Sequence, residues 1–183
     1  MKETIIIAGF GGQGVLSMGK ILAYSGLMEN KEVSWMPAYG PEQRGGTANV
    51  TVILSDTRIS SPVLKTFDTA IILNQQSMDK FEPFVKPGGL LVYDPQGITR
   101  KPVRTDIRIY SVHAMDMATA MNNVKAFNMI VLGAYLKANP VVSLDSVMTG
   151  LKKSLPERHH KMLPLNQAAL IKGEEIVVCE QSL

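Results

Sequence analysis

A chain of 183 residues, 45% of them hydrophobic, is long enough to bury a substantial core and short enough to be expected as one domain over residues 1–183. Its single cysteine, Cys179, excludes an internal disulfide, a CxxC zinc site and a cysteine-ligated iron-sulfur cluster held by this chain alone. The net charge of +3 comes from scattered basic residues without interleaved aromatics, which argues against nucleic-acid binding, and no run reaches the roughly 18 apolar residues of a membrane span. A protein of the reducing cytoplasm is expected, with neither signal peptide nor membrane anchor.

The first apolar run, residues 4–8, reads as a buried strand that delivers the chain into "GFGGQGV", residues 9–15. Gly9, Gly11 and Gly14 fit G-x-G-x-x-G between a strand and a helix, and Gly12 adds a fourth glycine. Glycines there admit positive φ, let a ligand approach the backbone, and leave the N–H groups of the helix start aimed at an anion. Residues 13–29 put Val15, Met18, Ile21, Leu22 and Ser25 on one stripe, as a helix packed on a sheet requires. A strand follows at 33–36, and strand–helix–strand order predicts a right-handed crossover to a parallel strand. A nicotinamide dinucleotide site wants an acidic residue at the end of that second strand. Pro37 and Ala38 stand there instead, while Glu29 and Glu32 precede the strand. No Gly-Lys-Ser/Thr follows the glycines, which excludes a Walker A loop. Four readings stay open for the turn: a dinucleotide site, a phosphate or pyrophosphate site for another ligand, close approach of a partner chain, or tight helix–strand packing.

Residues 37–46 show neither helical nor strand periodicity and carry Tyr39, Glu42, Gln43 and Arg44 among glycines and prolines, the composition of a functional loop. Arg44 offers two parallel hydrogen bonds to a phosphate or carboxylate, and Gly45 and Gly46 let the backbone approach the same group; the bland alternative is a surface pair with Glu42. Residues 47–54 alternate Ala48, Val50, Val52 and Leu54 with Thr47, Asn49, Thr51 and Ile53, then reach a turn at "SDTR", which suggests an antiparallel excursion. Further strands are expected at 69–73, 90–93 and 107–111, the second of these placed beside the first strand of the chain. Beyond Ser111 the chain reads as wholly helical, with segments near 115–122, 128–137, 144–155 and 163–178. Ser143 is a candidate N-cap, and "ANP" closes the helix before it. The eleven methionines read as adaptable core filler or as a partner surface. The fold class is therefore α/β: a three-layer, Rossmann-like, mostly parallel but mixed sheet with helices on both faces and a helical C-terminal part.

Catalytic groups are sparse. His159 and His160 are sequence neighbours that point apart on a helix, His113 follows a strand as a structural residue does, and no G-x-S-x-G elbow occurs. Asp94 and Asp116 are candidate bases or, more simply, caps. The residues imply a binding site without catalytic or metal-binding machinery.

Five motifs in order carry a resemblance over nearly the whole chain: "GFGGQGV" at 9–15, "YGPEQRGG" at 39–46 continuing through "ANVTVILSD", "SSPVLKTFDTAIILNQ" at 60–75, "KPGGLLVYD" at 86–94, and "NMIVLGAYL" at 128–136. With them the chain resembles the gamma subunit of the 2-oxoacid:ferredoxin oxidoreductases, a family that includes the beta subunit of indolepyruvate:ferredoxin oxidoreductase. The resemblance implies an anaerobic-type oxidative decarboxylation of a 2-oxoacid, 2-oxoglutarate favoured, to an acyl-CoA, with ferredoxin as electron acceptor. It implies partner alpha, beta and sometimes delta subunits that carry thiamine diphosphate and iron-sulfur clusters. This chain would handle coenzyme A (CoA), cover the active site and be inactive alone. The cofactor-facing positions it implies are Gly9, Gly11, Gly12, Gln13, Gly14, Arg44, Gly45 and Gly46. The competing readings are a self-sufficient NAD(P)-binding Rossmann oxidoreductase, the beta subunit of an indolepyruvate oxidoreductase, and a scaffold whose glycines only permit tight packing.

Overall fold

The computed structural model describes residues 1–39 and 46–183. Seven strands form one sheet: β1 (Lys2–Phe10), β2 (Glu32–Tyr39), β3 (Thr47–Ser55), β4 (Phe67–Ile72), β5 (Val85–Tyr93), β6 (Arg108–Ser111) and β7 (Val178–Gln181), in the spatial order β2-β3-β1-β4-β5-β6-β7. The helices are α1 (Val15–Met28), α2 (Gln75–Phe81), α3 (Ala114–Ala120), α4 (Phe127–Ala138), α5 (Leu144–Ser154) and α6 (Leu163–Ile176). The expected α/β architecture with a mixed sheet and a helical C-terminal part is what the chain adopts.

Alternation along β1 divides the core. Ile5 and Ile7 point to the face covered by α1, α3, α4, α5 and α6, whereas Ile6 and Ala8 point to the face where Met78 and Phe81 of α2 pack. Both faces of β1 are buried, which is why it reads as a continuous apolar run instead of alternating. The stripe expected on α1 is buried as drawn, and Ser25 satisfies its hydroxyl by donating to the Ile21 carbonyl at 2.7 Å. Buried Met18, Met78 and Met129 fill core positions, with Met115, Met117 and Met121 packed against it.

Three expectations need correction. β1 and β2 run parallel but are not neighbours, because the antiparallel excursion β3 inserts between them and pairs antiparallel with both. β5 does not lie beside β1, since β4 occupies that place and pairs parallel with each. The C-terminal segment is not wholly helical: α6 stops at Ile176, and β7 joins β6 antiparallel. The strand expected at 33–36 also runs on through Pro37 to Tyr39, and residues 40–45 of the expected loop lie outside the described residues. Proline is tolerated there because β2 is an edge strand with no outer partner awaiting its N–H.

Candidate functional site

Parallel β1, β4, β5 and β6 end on one rim, where β2 also ends and β3 begins. Open α/β sheets bind ligands at this carboxyl edge. The glycine turn leaves β1 here. Gly12 has φ 99° and Gly14 φ 77°, left-handed conformations that favour glycine, and Gly14 caps α1 without any side-chain hydrogen bond. Met18 N donates to the Gly14 carbonyl, but among the described residues nothing accepts from the amides of Val15, Leu16 or Ser17. Orphan donors of this kind at a helix start are the groups from which an anion accepts hydrogen bonds.

The remaining residues of the turn hold it in shape. Gln13 Oε1 accepts from Phe10 N at 2.6 Å, Gln13 Nε2 donates to the Leu73 carbonyl at 3.2 Å, and Gln13 N donates to the Phe10 carbonyl at 3.2 Å. One side chain thereby ties the turn to the ends of β1 and β4. Gly9 lies inside β1, where a Cβ would stand 2.6 Å from Gln13 Oε1 and 2.9 Å from Leu73 Cβ. Gly11 N donates to the Gly46 carbonyl at 3.0 Å, which draws the start of β3 against the turn. Gly11 and Gly12 themselves are exposed. Arg44 and Gly45 lie outside the described residues.

A cavity flanks the turn on each side. One of about 430 Å³ runs between the start of α1 and the edge strand, lined by Gly12, Leu16, Ser17, Tyr39 and Ala48 among others; the Tyr39 ring is 69% exposed. The other, about 190 Å³, lies toward α4 and is lined by Gly12, Gln13, Gly14, Lys125 and Asn128. Sequence reading missed Lys125, in the connection between α3 and α4, and Asn128, in the first turn of α4. Only Asn128 had a signal, as the first residue of "NMIVLGAYL".

Of the two candidate bases, Asp94 serves as a cap. Asp94 is buried and accepts from Gln96 N at 2.8 Å and Met115 N at 3.0 Å, anchoring the start of α3 to the end of β5. Burial pushes its carboxyl above the usual range, and those amides oppose the shift. Asp116 pairs with His113 at 3.3 Å in solvent. Among the described residues no group of His, Cys, Asp or Glu could hold a metal ion. Glu32 opens β2 at the edge opposite the glycine turn, and Glu29 accepts from Ser143 N, so neither supplies the ribose-binding acid of a dinucleotide site.

The sequence pattern of the pyruvate ferredoxin/flavodoxin oxidoreductase family matches residues 4–176. The chain belongs to that family. As a pyruvate ferredoxin/flavodoxin oxidoreductase family member, it is 43% identical over 135 residues to the ketoisovalerate oxidoreductase subunit VorA of Methanothermobacter thermautotrophicus, covering 74% of this chain but 28% of VorA. It thus spans under a third of the length of the VorA relatives it matches. The gamma subunit of a keto/oxoacid ferredoxin oxidoreductase from Geobacter sulfurreducens matches end to end, with TM-score 0.83, 26% identity and 96% of each chain covered. The resemblance drawn from the five motifs is thereby borne out. The 2-oxoglutarate:ferredoxin oxidoreductase of Magnetococcus marinus, solved with 2-oxoglutarate, coenzyme A and succinyl-CoA bound, contains a similar unit: TM-score 0.85 and 25% identity over 95% of this chain and 30% of that one.

Proposed function

We propose that this chain is the gamma subunit of a 2-oxoacid:ferredoxin oxidoreductase and that it binds the phosphate-bearing part of CoA at the glycine turn. In the complex, a 2-oxoacid, CoA and two oxidised ferredoxins give an acyl-CoA, carbon dioxide, a proton and two reduced ferredoxins. The redox and decarboxylation chemistry belongs to partner subunits carrying thiamine diphosphate and iron-sulfur clusters. One observation carries the reading: among the described residues the amides of Val15, Leu16 and Ser17 have no acceptor, and the exposed Gly11–Gly12 backbone lies beside them on the carboxyl rim. CoA carries a pyrophosphate and a 3′-phosphate, and that phosphate on its adenosine ribose would repel the acid a NAD site places there. The Magnetococcus marinus relative, solved with CoA bound, supports the choice. Arg44, Gly45 and Gly46 are proposed to complete the same mouth, Gly46 being held to Gly11.

2-Oxoglutarate is the favoured 2-oxoacid; the likeness to VorA makes a branched-chain 2-oxoacid its competitor. Reconstitution with the partner subunits tests the whole reading. The isolated chain supplied with thiamine diphosphate, CoA and 2-oxoacid shows no turnover, the complex does, and Arg44→Ala raises the KM for CoA. Turnover by the isolated chain, or micromolar NAD(P) binding by calorimetry with no response to CoA, refutes it.

A further inference from the structure

The glycine turn faces a cation that its motif does not announce. Lys125 lies in the 3₁₀ turn Val124–Ala126 just ahead of α4 and shares the cavity of about 190 Å³ with Gly12, Gln13, Gly14, Met115 and Asn128. It is the one charged side chain in that lining, and no salt bridge among the described residues involves it. Its side chain is exposed, and the start of α4, which its turn leads into, is held against the glycine turn. Asn128 packs so closely on Gly14 that a Cβ there would lie 2.5 Å from Asn128 Nδ2 and 2.8 Å from Asn128 Cβ, so the start of α4 and the start of α1 form one packed unit. The cavity on the other flank shares Gly12 and Gly14, and among the described residues its lining is without charge, Leu16, Tyr39 and Ala48 supplying apolar surface. Among the described residues the two flanks therefore differ in what they attract.

We propose that Lys125 is a specificity-determining residue: its ammonium takes a phosphate of the CoA-class ligand on the α4 side of the glycine turn, leaving an uncharged part of the same molecule to the Tyr39 side. The proposal rests on the CoA reading above and gives that ligand a direction across the turn. An ammonium on a flexible stem meets phosphate as a point charge. Beside the start of α1 it also acts on the same anion as the helix dipole. Tyr39, with its exposed ring, suits an adenine or an alkyl segment, neither of which needs a counter-charge.

The test uses the assembled complex. Lys125→Ala raises the KM for CoA about tenfold with kcat little changed, the loss of one charge-assisted contact. Lys125→Arg restores most of the affinity, and added salt weakens the wild type more than the alanine variant. Repeating the assay with 3′-dephospho-CoA distinguishes the phosphates: a penalty that vanishes assigns Lys125 to the 3′-phosphate, one that persists assigns it to the pyrophosphate, and both support the proposal. An unchanged KM in Lys125→Ala, or an equal fall in kcat for both variants, overturns it. Amide exchange separates this failure from failure of the underlying reading. If CoA protects residues 11–17 equally in the wild type and the alanine variant while the KM is unchanged, Lys125 is removed and the CoA site stands. If CoA protects nothing in the wild type, both go.

Discussion

Gln13 occupies the centre of a motif whose glycines draw the eye, yet both polar atoms of its side chain are spent on the protein's own backbone. Gln13→Ala leaves Phe10 N without its side-chain acceptor and the Leu73 carbonyl without its donor. Urea titration should show roughly 1–3 kcal/mol lost. Gln13→Glu preserves the acceptor but turns a carboxylate oxygen toward the Leu73 carbonyl, so it should recover little. At the amino end of the sheet, Glu3 Oε1 accepts from Thr69 Oγ1 at 2.6 Å and from Asn139 Nδ2 at 3.0 Å. Burial raises the Glu3 carboxyl above its ordinary value, with the Thr69 hydrogen bond opposing and Asp68 adding repulsion. A carboxyl harder to ionise in the fold than in the unfolded chain contributes stability that is full below the unfolded pKa and is lost as pH rises through the folded one. Glu3→Gln retains the acceptor oxygen and removes the charge. Thermal melts from pH 4 to 8 should show the wild type losing stability relative to this variant as pH rises.

At the scale of elements, two contacts set how the helices pack. A Cβ at Gly133 of α4 would strike the Leu170 carbonyl of α6, and one at Gly173 of α6 would strike the Ile130 carbonyl of α4. Gly133→Ala should destabilise by at least the roughly 1–3 kcal/mol of an overpacked core, measured by calorimetric melting. On the opposite face, buried Glu82 accepts from Arg104 N at 3.0 Å, Val103 N and the Arg100 guanidinium, strapping residues 100–104 beside α2. Glu82→Ala strands two amide donors, and proteolysis should open that strap first. Six of the seven strands were legible because apolar runs bounded by glycine, proline or aspartate announce themselves. β7 was not: three of its four residues are exposed, so no burial pattern marks it. It is held by side chains, Tyr93 Oη donating to Glu180 at 2.9 Å and Gln181 Nε2 donating to the Ile107 carbonyl at 2.6 Å. Sheet order was equally hidden. The alternation of β3 announces a strand with two different faces, and nothing local says that it slips between β1 and β2. In the candidate site, the glycine turn was readable from spacing alone, whereas Lys125 and Asn128 arrive from more than a hundred residues away by tertiary packing.

Across the molecule, among the described residues five α-helices cover one face of the sheet and one, α2, covers the other. The rim that bears the glycine turn lies between those layers. Gly14→Ala combines a left-handed backbone with the Asn128 contact, so it should lower stability and, in the reconstituted complex, CoA affinity together. Gly12→Ala meets no atom within 4 Å and carries only the φ penalty, so its loss should be about 1–2 kcal/mol by urea titration. α4 is clamped at three stations: Asn128 against Gly14 at one rim, Gly133 against α6 at its waist, and Asn139 against Glu3 at the other rim. A rod fixed at both tips and its middle has no soft joint with which to adapt. The α4 side of the glycine turn is thus preformed, so the proposed ligand should find little to rearrange on that flank, and on heating its protection of residues 11–17 should persist until the entire fold gives way.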